Sequence, residues 1–199
     1  YEFYQGVKRM KVKRIAKTVI DTAMFLIFLP LMEERSLSGA AHEWLGISLF
    51  ILFIAHVALN YRFFATLFKG KYTPARIVTV TINFLLLAAM IMCVISSLFV
   101  SGVIFKDLNL GNKMLGRNLH LVFTAWAFLL ANVHFGLHLP QILGKIRRRI
   151  TGKKTEKTLV VIGYAVSFVI IAYGLYAATF SRRIYEELFF LTSFKNVDE

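Results

Sequence analysis

The chain has 199 residues, 57% of them hydrophobic, a mean hydropathy of +0.63 and a formal net charge of +13. Soluble domains carry about 45–50% apolar residues, so an ordinary soluble globular fold is excluded. The single cysteine, Cys93, excludes intrachain disulfides and any CxxC metal or redox motif.

The apolar excess falls in five runs, which predict an all-α integral membrane protein, a five-helix transmembrane bundle. The expected spans are 15–32, 42–64, 77–100, 119–139 and 159–180. Most match the roughly 20 residues that cross about 30 Å of hydrocarbon. The first is the weakest, because Lys17 and Asp21 lie in its opening turns, where an i, i+4 ion pair is the default reading and a proton path the minor one. No cleaved leader is recognisable. The chain opens on Tyr1 rather than Met, so the gene product is expected to extend beyond it.

The connection 33–39 offers Ser38 or Gly39 as a cap for the second helix. A turn at 69–74 follows that helix. Cys93 reads as a small core residue of the third. The connection 101–118 is the longest and is expected to act as a lid or a docking surface. The stretch 144–157 is a basic linker, and the tail 181–199 carries Phe189, Phe190 and Phe194, as an interfacial segment would. Short connections predict antiparallel neighbours.

Charge distribution sets the expected topology. Lys8, Arg9, Lys11, Lys13, Arg14 and Lys17 surround the start of the first helix. Arg62, Lys69, Lys71 and Arg76 follow the second, and seven further basic residues lie between Lys145 and Lys157. Basic loops remain in the cytoplasm, which puts the N-terminus inside and residue 199 outside. The basic loops are read as contacts for lipid headgroups, with no nucleic-acid partner.

Four histidines form two pairs of equal spacing. His42 and His56 are 14 residues apart, and so are His120 and His134. On a helix that is about 21 Å, or four turns, on nearly one face. The second and fourth helices are expected to run in the same direction. His42 then lies level with His120, and His56 with His134. One imidazole from each helix at each depth suits two stacked bis-histidine haems between helices two and four. The CxxCH signature is absent, so each would be non-covalent haem b. Membrane histidines can also simply bridge helices, but four at matched depths favour ligation. Outer iron is assigned to His42 and His120, inner iron to His56 and His134.

Other residues complete this expectation. His138 lies one turn beyond His134. It can bind a propionate, line a quinone pocket or replace His134, although the spacing favours His134. Arg117 and Arg62 are candidate propionate partners, or snorkel to headgroups. Gly46, one turn after His42, would let a flat macrocycle approach; Ala55, Ala125, Ala127 and Ala131 have the same potential, with tight helix packing as the plain alternative. Asn60 and Tyr61 are candidate quinone contacts. Trp44 and Trp126 could lie against haem edges, and Trp44 also fits an interfacial belt.

The stretch HEWLGISLFILFIAHVALNYRFFATLFKGKY at 42–72, followed by a helix and then LHLVFTAWAFLLANVHFGLHLP at 119–140, resembles the bacterial flavinylation-associated cytochrome family. It is more distantly similar to ferric reductases and respiratory cytochrome b subunits. The resemblance covers most of the chain. It implies a b-type haem protein of the bacterial cytoplasmic membrane that passes electrons outward to an extracytoplasmic flavin- or haem-carrying partner. Carried over by position, His42, His56, His120 and His134 would be the haem ligands.

The function expected is transmembrane electron transfer, from the quinone pool or an inner-side dehydrogenase to that outer acceptor. The chain is read as an electron-transfer component, with no catalytic residue assigned. One alternative is a haem-bearing anchor subunit of a larger quinone-linked oxidoreductase. Another, of a different class, is a haem-free membrane scaffold or transporter.

Overall fold

In the computed structural model, residues 2–32, 37–108 and 110–147 are described, together with Thr158 and Val161. Every regular element among them is a helix: α1 (Glu2–Leu31), α2 (Gly39–Leu59), α3 (Arg62–Ala65), α4 (Pro74–Val100) and α5 (Lys113–Arg147). The expected fifth span at 159–180, the tail at 181–199 and most of the basic linker lie outside the described residues.

Three segments are long and apolar enough to cross a membrane: Gly39–Ala65, Pro74–Val100 and Lys113–Leu139, each of 27 residues. Their large side chains point outward to a degree that suits lipid and not water. Ile51, Ile54, Ile77 and Leu85 are each at least half exposed. In hydrocarbon such faces cost nothing, because the lipid is as apolar as a protein core. Helix α1 is not among the three segments, and Arg14, Lys17 and Asp21 interrupt its apolar half.

The helix ends show why the expected boundaries move. Helix α1 begins well ahead of residue 15, since the Lys, Arg, Met and Gln of its first half favour a helix almost as well as apolar residues do. Helix α2 starts where Ser38 caps it: the Ser38 hydroxyl accepts from the Ala41 N–H at 3.3 Å. Its regular turns stop at Leu59, where the Asn60 N–H and side-chain amide both donate to the His56 carbonyl, at 3.1 and 2.8 Å; with α3 the apolar segment reaches Ala65, in keeping with the expected 64. The chain then makes the short α3 and a turn in which Gly70 takes φ = 79°, a left-handed value that glycine adopts without strain. Helix α5 is capped by Asn112, whose Oδ1 accepts from the Leu115 N–H at 3.0 Å. It continues past Pro140 to Arg147, beyond the end expected at 139.

The chain divides into two compact units, Tyr1–Thr73 with Ser97–Gly111, and Pro74–Ser96 with Asn112–Glu199. In the first, α1 packs along α2. Their direction follows from two side-chain pairs. Asp21 meets His56, and Lys17, four residues earlier, meets Asn60, four residues later, so the helices are antiparallel.

In the second unit α4 and α5 are antiparallel by the same reasoning. Asn83 meets His134, Cys93 meets Thr124, and Ser96 meets His120. The core between them is Ala89, Ala127 and Leu130, with Ile82, Leu86, Met90 and Cys93 against it. Ala89 and Ala127 are almost fully buried, and their small size lets the helix backbones approach. Ala127, one of the alanines considered for a macrocycle, is therefore used in helix packing.

Candidate functional site

Each histidine pair lies on one uninterrupted helix, His42 and His56 on α2 and His120 and His134 on α5. The first pair belongs to the first unit and the second pair to the second. His42 sits in the opening turn of α2, with its N–H on the Ser38 carbonyl at 2.9 Å.

Three of the rings have a defined Nδ1 partner on a neighbouring helix. His56 Nδ1 lies 2.7 Å from Asp21 Oδ1. His134 Nδ1 lies 2.9 Å from Asn83 Oδ1. His120 Nδ1 lies 3.2 Å from the Cys93 carbonyl oxygen and 3.3 Å from Ser96 Oγ. A carboxylate, an amide oxygen and a carbonyl can only accept. Against these partners each ring donates from Nδ1. Neutral imidazole of this tautomer has its lone pair on Nε2, the nitrogen that can ligate a metal.

Ser96 is nearly fully buried, and its local bonding supports this assignment. Its hydroxyl donates back to the Met92 carbonyl at 2.7 Å, within its own helix. The oxygen is then available to accept from His120 Nδ1–H.

The surroundings of His56 correct one expectation. Lys17 does not pair with Asp21. Its Nζ donates to Asn60 Oδ1 at 2.8 Å, and Asn60 in turn donates to the His56 carbonyl at 2.8 Å. Helix α1 thus grips His56 from two sides, through Asp21 at the ring and through Lys17 and Asn60 at the backbone. Asn60, considered as a quinone contact, is taken up in this network.

His138 lies one turn beyond His134, and the two rings meet edge-on with centroids 4.7 Å apart and planes at 64°. The defined Nδ1 anchor belongs to His134. Arg117 is exposed one turn before His120. Arg62 is exposed as well, but it follows the break at Asn60 and Tyr61, so it is not on the same continuous helix as His56. A Cβ built on Gly46 would meet no atom within 4 Å, which leaves space beside that turn of α2. Trp44 and Trp126 are both exposed, at 61% and 42%.

Sequence reasoning did not identify the role of Glu43, next to His42. Its Oε1 accepts from the Gly102 N–H at 2.7 Å and the Val103 N–H at 3.2 Å. Its Oε2 accepts from the Ser101 hydroxyl at 2.8 Å and the Ile104 N–H at 2.9 Å. The start of the 101–118 connection is therefore tied to α2, which restricts any lid role to the residues that follow. The available signal was the residue type, since an acidic side chain in an apolar span requires partners. A weaker form of the signal, a neutral polar side chain in an apolar span, applied to Asn83 and Ser96.

No group of three or more His, Cys, Asp and Glu side chains converges on one point among the described residues. Haem iron would need only two imidazoles, and rings with Nδ1 held by a neighbouring helix are of the type that could supply them. Comparison with family models, with curated proteins and with solved structures found no match to this chain.

Proposed function

We propose that this protein is a di-haem b-type cytochrome that moves electrons across the bacterial cytoplasmic membrane. The observation that carries the reading is the Nδ1 geometry: on His56, His120 and His134 this nitrogen lies against a polar partner on a neighbouring helix, and a ring so held, when neutral, presents Nε2. Ligating histidines almost always donate their other ring N–H to a carboxylate, a carbonyl or water. A bound haem would supply a one-electron iron couple, and the histidine nitrogens of this chain would hold it.

In this reading the membrane bundle has five spans, the last at 159–180. His42 and His120 hold the outer iron, His56 and His134 the inner one. Asp21, Asn83 and the Cys93 carbonyl orient the rings. Arg117 and Arg62 neutralise propionates near the two surfaces, Gly46 leaves room for a flat ring, and His138 supports the inner site. The N-terminus is cytoplasmic and residue 199 is outside. Electrons enter from quinol or an inner-side dehydrogenase and leave to an extracytoplasmic flavin- or haem-carrying protein, as in the flavinylation-associated cytochromes that the sequence resembles.

A second reading has an observation in its favour. Each of the Nδ1 bonds also ties one helix to its neighbour, which is all a haem-free scaffold would need. The visible absorption spectrum of the purified protein separates the two. The cytochrome has a Soret band and an α band that sharpens on reduction; the scaffold has neither.

A further inference from the structure

We propose that Asp21 sets the reduction potential of the inner centre, acting through His56. The inference rests on the cytochrome reading and extends it to a residue that touches no cofactor.

The ring partners differ in charge. His134 donates to the neutral amide of Asn83, and His120 to the neutral Cys93 carbonyl and Ser96 hydroxyl. His56 donates to a carboxylate, at the shortest of these distances, 2.7 Å. A carboxylate draws the Nδ1 proton toward itself and makes the imidazole a stronger donor at Nε2. A better donor and a nearby negative charge both favour the oxidised, more positive metal. The inner centre is therefore harder to reduce than it would be with a neutral partner on His56.

The surrounding network keeps that charge in effect. Lys17, one turn before Asp21, could neutralise it; instead its ammonium is held on Asn60. Asn60 fixes the carbonyl of the same histidine. Charged side chains set against a neighbouring helix need partners there. Here α1 carries one to the edge of a ligand ring and carries the opposite one past it. Asp21 is a positioning residue: it orients and polarises His56.

The test is a redox titration of the purified holoprotein, followed at the haem α band. Wild type is expected to give two one-electron waves, and His56→Ala identifies the inner wave by removing it. Asp21→Asn keeps an acceptor of the same shape and deletes the charge. It is expected to raise the reduction equilibrium of the inner wave about tenfold, which for one electron is about 59 mV, and to leave the outer wave in place. Asn83→Asp, which adds a carboxylate to the other ligand of the same iron, is expected to lower the same wave.

Two unmoved waves in Asp21→Asn, equal shifts of both, or loss of the inner haem would each overturn the assignment. If Asp21→Asn does not fold, an inner wave unmoved by Asn83→Asp overturns it. A wild-type protein without haem refutes the cytochrome reading itself, a distinct result.

Discussion

The α1–α2 pair and the α4–α5 pair solve one problem in two ways. Both are antiparallel helix pairs, and both tie a histidine of one helix to a polar side chain of the other. In α4–α5 the ties are neutral, and the helices also share a core at Ala89, Ala127 and Leu130. In α1–α2 the ties around His56 are a carboxylate and an ammonium. Where small residues let backbones approach, dispersion packing holds the pair and the polar contact need only orient a ring. In α1–α2 the two charged groups of α1 meet His56 and its neighbour one turn on, Asn60.

The first way to break this comparison is to remove a ring. His56→Ala or His134→Ala is expected to lose about one haem equivalent per chain and leave the outer centre partly occupied. An unchanged haem content in both variants, read from the α band, would refute the inner pair.

Next in size is the core of α4–α5. Ala127→Leu forces a larger side chain against Ala89, and overpacking of this sort costs about 1–3 kcal/mol. The detergent-solubilised protein should melt at a lower temperature. An Ala58→Leu change, at an exposed position of α2, should leave melting unaffected. Equal melting of the two variants would contradict the buried role of Ala127.

A smaller effect is expected at Glu43. Glu43→Ala leaves the N–H groups of Gly102, Val103 and Ile104 without their carboxylate; Gly102 and Val103 are exposed, so water takes over much of the lost bonding. Those amides should exchange faster with deuterium, with little change in the amide exchange of α5. Unaltered exchange at 102–104 would show that the loop does not depend on this anchor.

The smallest is Lys17→Met, which removes the contact to Asn60 and keeps the aliphatic stem. The Asp21–His56 contact should survive it. A downward move of the inner redox wave, toward a more exposed Asp21 charge, would imply that Lys17 partly screens it even from Asn60.

The three apolar spans were legible because length and hydropathy alone decide them: no water is available to satisfy a broken backbone, so a run of apolar residues must be helical. The histidine spacing was legible for the same reason, since it needs only the helical rise. The break at Asn60 and Tyr61 was not, because apolar residues continue on both sides of it and hydropathy runs through it unchanged. Nor was the partner of Asp21. Along one helix, i, i+4 spacing favours Lys17, but the antiparallel neighbour offers each a better group. Glu43 was missed because its donors lie some 60 residues away, in a loop whose fold is itself shaped by that carboxylate.

The most direct test of the central claim is the number of haem b groups in the purified chain, measured as absorbance against protein concentration. The account predicts two, both low-spin and both reducible. A well-folded, membrane-inserted protein that binds none would contradict it.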